Sequence, residues 1–187
     1  MRWDELFADL EAQLEAGIGA EERESDAEEE RLRLGRRSLR DRIAAMGEGR
    51  TPVRIRLLDG TVVDLAPRTV GRDWIAGDLP GGAQAVLPLH AVAALLPTAS
   101  QVAADGGPPA GALTDRLGLP FVLRDLARRR RAVQLLLRHG ATAGTIDRVG
   151  RDHLDLAVHG VDEPRRASAV ARIEVIALAE LLLVRVD

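Results

Sequence analysis

The tetrad Val-Gly-Arg-Asp occurs twice, at Val70–Asp73 and Val149–Asp152, with an apolar segment after each copy. Paired carboxylates such as Asp73 and Asp152 could act as general acid and base. Their matched settings argue instead for one structural task done twice, an aspartate accepting backbone N–H groups at a turn. Gly71, Asp73, Gly150 and Asp152 are therefore read as structural turn residues. The four histidines are His90, His139, His153 and His159. His153 and His159 flank one apolar segment and could hold a metal. Trp74 stands where the first copy would need His153, however, and no carboxylate–histidine ligand spacing accompanies the set. Ordinary loop or strand-end histidines are expected, with no metal. Ser38, Ser100 and Ser168 lack a nucleophile-elbow context. Pro80–Gly82 and Asp105–Gly111 are glycine-rich, but neither opens a helix carrying Gly-Lys-Ser/Thr, so neither is a phosphate loop. The chain has no cysteine, hence no thiol nucleophile, thiolate metal site or disulfide. No catalytic residue and no cofactor is assigned, and the expectation is a protein that is not an enzyme.

The binding chemistry is more distinctive. All 26 basic residues are arginine, the side chain suited to bidentate phosphate contacts. Arg128, Arg129, Arg130 and Arg131 form a run. With Arg124, Arg138, Arg148 and Arg151 they make a candidate nucleic-acid-binding strip. The competing account is a solvated helix end whose arginines face the C-terminal dipole. Base-stacking platforms need aromatics, and the basic body has only Trp74 and Phe121, neither inside the run. The second candidate surface is N-terminal. Trp3, Leu6, Phe7, Leu10 and Leu14 fall at helical spacing and give one apolar stripe on an acidic background. Such a stripe either packs back on its own chain or lies in the groove of a protein partner or second copy. Residues 1–32 carry 12 acids against 3 arginines, whereas 33–187 carry 23 arginines against 17 acids, so an acidic arm is joined to a mildly basic body.

These residues must be positioned by a repeated unit. Val53–Gly60 ("VRIRLLDG") aligns with Val133–Gly140 ("VQLLLRHG"), and the two Val-Gly-Arg-Asp tetrads follow at nearly the same offset. Upstream, Arg-Leu-Gly at Arg33–Gly35 recurs at Arg116–Gly118, and Leu-Arg-Asp at Leu39–Asp41 recurs at Leu123–Asp125. Downstream, Val86–Leu95 resembles Val170–Ala179. In the first copy Val53, Ile55 and Leu57 alternate with Arg54 and Arg56, the period of a half-buried strand. Gly60 and Gly140 stand where a tight turn asks for positive φ. Each unit reads as a helix, near 26–46 and 119–131, followed by five short strands. Leu119-Pro120 fits a helix start.

One helix and five strands at this spacing resemble the Sm-like (LSm/Hfq-type) small β-barrel. The first Sm signature is apolar-x-Gly, then Gly, then Asp and an apolar strand. The second copy supplies Gly140, Gly144, Asp152, Leu154 and Leu156. The first supplies Gly60, Asp73 and Ile75, with Asp64 in place of the second glycine. RNA-binding members resemble one another in an asparagine four residues after the aspartate and an Arg-Gly before the last strands. Here Gly77 and Leu156 hold the first position and no Arg-Gly is present, so the resemblance implies the fold more than the RNA pocket. The whole chain also resembles a group of actinobacterial proteins that open with segments like "MRWDELFADLEAQ".

The expected fold is mainly β with helices: two tandem SH3/Sm-like five-stranded small barrels, each preceded by a helix, plus an N-terminal amphipathic helix. The expected domains are an acidic helical arm (1–32), helix plus first barrel (33–98), a Gly/Pro/Ala linker (99–115) and helix plus second barrel (116–187). At 46% hydrophobic residues, the composition is too apolar for a disordered chain. No apolar run approaches the ~20 residues of a membrane span, and the N-terminus is too acidic for a signal peptide. A cytoplasmic location without membrane attachment is expected. The function expected is a non-enzymatic protein-interaction adaptor or scaffold that meets a protein partner or itself through the N-terminal helix. The alternative is a regulator that binds RNA or DNA through the arginines.

Overall fold

The computed structural model describes residues 27–32, 35–103, 113–160, 166 and 170–186. The chain divides into two compact units, 1–38 and 39–187. In the first, residues 27–32 are helical and exposed, with an Arg31–Glu28 ion pair of 3.3 Å. The stripe Trp3, Leu6, Phe7, Leu10 and Leu14 lies outside the described residues, as does the middle of the expected linker, 104–112.

The second unit is mainly β with helices. Its elements run α1 (Leu39–Met46), β1 (Val53–Leu57), β2 (Val62–Val70), β3 (Trp74–Asp78), β4 (Gln84–Pro88), β5 (Val92–Leu95), α2 (Ala99–Ala103), α3 (Leu119–Arg128), β6 (Ala132–Leu137), β7 (Gly140–Val149), β8 (His153–Val158), β9 (Arg172–Ala177) and β10 (Leu181–Val186). Val53, Ile55 and Leu57 are buried and Arg54 and Arg56 exposed, as the alternation predicts. Gly60 (φ 90°) and Gly140 (φ 136°) take the expected positive φ in the first hairpin of each half. The helix expected near 26–46 is interrupted at 36–38, before α1.

All ten strands join one antiparallel sheet in the order β5-β1-β2-β3-β4-β10-β6-β7-β8-β9. The first five positions and the last five follow the same order. The expectation of two separate five-stranded barrels therefore meets a single open sheet. β4 does not return to β5; it pairs with β10, with Val86 opposite Val184 and Gln84 opposite Val186. Two bare edges are removed at once by this pairing. Register shifts fall at corresponding places: Pro67/Thr69 and Ile146/Arg148 between second and third strands, Arg56/Leu57 and Leu181/Leu183 between first and fifth. Such bulges bend and twist a strand pair locally, and the sheet folds around two cores rather than one. Ile43, Ile55, Leu65, Ile75 and Leu87 belong to the first. Leu123, Val133, Leu135, Ile146 and Leu154 belong to the second.

The halves share side chains at the seam. On β4, Ala85 and Leu87 enter the first core and Val86 the second. On β10, Leu182 and Leu183 enter the first and Leu181, Val184 and Val186 the second. A strand buried on both faces reads as a continuous apolar run rather than an alternation, which accounts for Leu-Leu-Leu-Val at 181–184. The repeat also needs a new alignment here. The single-turn 3-10 helices Leu89–Ala91 and Leu178–Glu180 correspond, an offset of 89 rather than the 84 read between Val86 and Val170. The longer segment between β8 and β9 makes the difference. Finally, Arg50 (φ 64°) and Arg130 (φ 54°) are the non-glycine residues with positive φ among those described, and each stands three residues before the first buried valine of its half. At Arg130 the cause is visible. Arg130 N–H donates to Ala127 O (3.1 Å) and Arg131 N–H to Leu126 O (3.2 Å), a Schellman cap with arginine where glycine is usual.

Because the cores interlock, Leu182→Ala should cost about 2–5 kcal/mol and weaken both halves together. Far-UV circular dichroism and Trp74 fluorescence, measured in a Trp3→Phe background, should report one coincident unfolding transition. Two separated transitions would show that the halves unfold independently.

Candidate functional site

The two Val-Gly-Arg-Asp turns have the same internal wiring. Gly71 N–H donates to Trp74 O and Gly150 N–H to His153 O, both at 2.8 Å. Leu89 N–H donates to Asp73 O (2.9 Å) and Leu178 N–H to Asp152 O (2.8 Å). An arginine from the Leu-Arg-Asp helix of the same half braces each turn. Arg40 Nε donates to Gly71 O at 2.7 Å, and Arg124 Nη2 to Gly150 O at 3.3 Å. The two repeated motifs thus meet in space, a relation that their separation in sequence concealed.

Gly71 and Gly150 do not hold positive φ. Glycine is required for another reason: a Cβ on Gly71 would stand 2.2 Å from the Trp74 indole, and one on Gly150 2.5 Å from the His153 ring. The side chain three residues on folds over each glycine.

What surrounds the turns differs. The first is occupied by the segment that opens α3. Leu117 O accepts from Arg72 N–H (3.1 Å) and from Trp74 Nε1–H (2.9 Å). Asp73 Oδ1 accepts Leu119 N–H at 2.7 Å, so Asp73 caps a helix of the other half instead of only its own turn. Arg40 also pairs with Asp115, on the 3-10 turn just ahead of this segment. Trp74 is buried in the second core. At the second turn His153 is exposed and donates through Nδ1 to Asp152 Oδ1 at 2.8 Å. That bond holds the Asp152 carboxyl below its ordinary value. Among the described residues no backbone hydrogen bond reaches this turn from the other half.

The arginine strip is dispersed. Asp125 takes both Arg128 and Arg129, the latter at 2.6 Å, and its carboxyl is held below the usual range chiefly by Arg129. Arg130 pairs with Asp147 at 3.1 Å. Arg138 donates to Ala179 O (3.2 Å) beside Glu180. Arg131 lines a groove of about 500 Å³ with Arg68, Gln84, Arg129 and Val186. Arg148 is exposed on β7 opposite Asp155. Arg124 and Arg151 come together elsewhere, in a shallow groove of about 530 Å³ that also takes in Arg72, Gly118, Pro120 and Phe121. Phe121 is 55% exposed there. Arg72 and Phe121 were outside the sequence-derived strip, although the doubled tetrad could have suggested Arg72 as the counterpart of Arg151.

Among the histidines, His159 is buried: its Nδ1 donates to Gly160 O (2.7 Å), leaving Nε2 to accept from the Thr145 hydroxyl (2.8 Å) in the neutral ring. His90 Nε2 donates to Leu181 O at 3.1 Å. Among the described residues no group of histidines and carboxylates is placed to hold a metal ion, and no helix is long and apolar enough to cross a membrane. Comparison of the chain with protein-family models, with curated proteins and with solved structures found no match.

The asymmetry between the turns is measurable. Asp73→Ala should cost about 0.5–2 kcal/mol through loss of the helix cap, whereas Asp152→Ala should leave the denaturation midpoint unchanged. Gly71→Ala should likewise destabilise more than Gly150→Ala, since buried Trp74 has nowhere to move and exposed His153 does. Equal effects within either pair would contradict the occupancy described. The Asp125 cluster adds a pH dependence. A carboxyl depressed in the folded chain contributes stability above its ordinary value near ~4, lost as pH falls through the depressed value. Asp125→Asn should therefore lower stability slightly at neutral pH, the ion pairs being exposed, and flatten the acid limb, with the two proteins converging as pH falls below the depressed value.

Proposed function

We propose that the chain is a non-enzymatic interaction scaffold made of two copies of one Sm-like helix-plus-five-strand unit joined edge to edge in a single sheet. The observation that carries this reading is the repetition of one wiring plan: the same strand order, bulges at corresponding places, and an arginine-braced turn in each half. One such turn is occupied within the chain, which illustrates the kind of contact the unit can make: a backbone segment and a helix start held by a carboxylate and a ring N–H. In this reading the protein acts in the cytoplasm, and the N-terminal stripe is the arm that meets a protein partner. Affinity capture from native cells with the full chain should retain an identified protein that a Trp3→Ala/Phe7→Ala/Leu10→Ala variant releases, with the thermal midpoint of the variant unchanged. A lowered midpoint would assign the stripe to intramolecular packing and remove the arm from the scaffold.

One observation favours a second reading. The groove that gathers Arg72, Arg124 and Arg151 beside exposed Phe121 combines cations with a stacking face, the pairing used for single-stranded nucleic acid. If the protein binds mixed RNA or DNA at low salt, the Arg72→Ala/Arg124→Ala/Arg151→Ala variant should lose about two units of slope in log affinity against log salt. Phe121→Ala should weaken binding without changing that slope. Absence of binding by the unaltered protein at low salt would end this reading.

A further inference from the structure

The sheet ends at β9, and among the described residues no strand covers its outer edge. The corresponding strand of the first half, β4, has its outer edge covered by β10. Position by position the consequence is plain: Val86 is 6% exposed, whereas Val175, which holds the same place on β9, is 70% exposed. Ile173, in the place of Gln84, is 53% exposed. β9 is six residues long and contains no proline. It has none of the devices that usually blunt an edge except the pair Arg172–Glu174, joined at 2.7 Å.

The chain's other free edge, β5, is a poor match for it. β5 has four residues, Val92-Ala93-Ala94-Leu95. If β5 of another copy sat on β9 as β10 sits on β4, Pro97 would take the place of Val186, opposite Ile173. Proline there has no N–H to give to the ladder. β9, by contrast, complements itself. In an antiparallel two-fold pairing, residues opposite one another must share a face, so the axis passes through a residue. Centred on Glu174 the pairing sets two carboxylates against each other. Centred on Val175 it sets Glu174 against Ile176. Centred on Ile173 it sets Ile173 against Ile173 on the exposed face and Arg172 against Glu174 twice on the other, linking the two existing ion pairs into an alternating ring of four charges.

We propose that β9 is a self-complementary edge through which two copies of the chain pair about a two-fold axis at Ile173, continuing the sheet from one chain into the next. This does not rest on the scaffold reading, because it concerns a different surface from the N-terminal stripe and holds whatever the arm binds. The test is sedimentation of the full chain across a concentration series, with circular dichroism to confirm folding of each variant. The unaltered protein should reach twice the 20.2 kDa chain mass. Val175→Arg should remain at the single-chain mass. Glu174→Arg should raise the dimer dissociation constant about tenfold or more, since each cross-strand pair counts twice. The double exchange Arg172→Glu/Glu174→Arg should restore it, because reversed charges still oppose across the axis. If Val175→Arg fails to fold, the single and double exchanges at 172 and 174 decide alone. A monomer at every concentration overturns the proposal. So does a dimer that the exchanges leave untouched, or one lost on Leu95→Arg, which would place the contact on β5 in a head-to-tail arrangement.

Discussion

Everything in the second unit depends on β4 and β10 lying side by side with both faces buried. A strand in an ordinary open sheet sends alternate residues to one core and to solvent. Here residues of each of two adjacent strands are shared between two different cores, so each strand packs for both halves. Val86, from the first half, sits in the second core, and Leu182, from the second, sits in the first. Neither core is complete without the other half's strand. The seam also sets where α3 can start. With β4 fixed against β10, the segment ahead of α3 lies against the first turn, where Leu117 O and Leu119 N–H find Trp74 and Asp73.

Much of this was legible in the sequence. The β1 alternation, the positive-φ glycines at 60 and 140, and the doubled tetrad all led to the right elements, because each is a local requirement written in adjacent residues. What failed was information that the chain does not carry locally. A register such as Val86 opposite Val184 depends on two segments about a hundred residues apart, and the similarity of Val86–Leu95 to Val170–Ala179 suggested a different offset because apolar runs align with one another at several registers. The continuous burial of β10 made its four apolar residues uninformative about faces. The glycines of the tetrads read as turn residues without a stated reason for glycine, and the structure supplies one in the ring of the residue three places on. Close approach of a ring three residues later leaves no mark in sequence different from that of a left-handed turn.

Arginine composition carries two tasks at once. A run of four invites a phosphate-binding interpretation, yet Asp125 and Asp147 stand one helix turn or one strand away and take three of the four. Arg40 and Arg124 hold carbonyls of the turns, Arg138 holds a carbonyl of the last 3-10 turn, and Arg50 and Arg130 occupy left-handed positions at the junctions into the first strands. The guanidinium group, with five donors in a fixed fork, can brace a turn from a neighbouring helix where an ammonium would reach only one carbonyl. In a chain without lysine, a share of the positive charge is therefore architectural, and only arginines that face open space, such as Arg151, remain as recognition chemistry.

The differences between corresponding positions are more informative than the similarities. Where a position does the same local task in both halves it carries the same residue type: Val53 and Val133, Gly71 and Gly150, Arg40 and Arg124. Where the first half is covered by the second and the second is uncovered, the residues diverge: Trp74 against His153, Gln84 against Ile173. If the uncovered positions had only water to meet, a polar residue at 173 would be the expected choice, as Gln84 is at the corresponding exposed site. Instead the more exposed strand carries the more apolar side chains. An edge that exposes Ile173 and Val175 while keeping unpaired backbone groups is unfavourable for an isolated chain, and becomes favourable once a matching strand covers it.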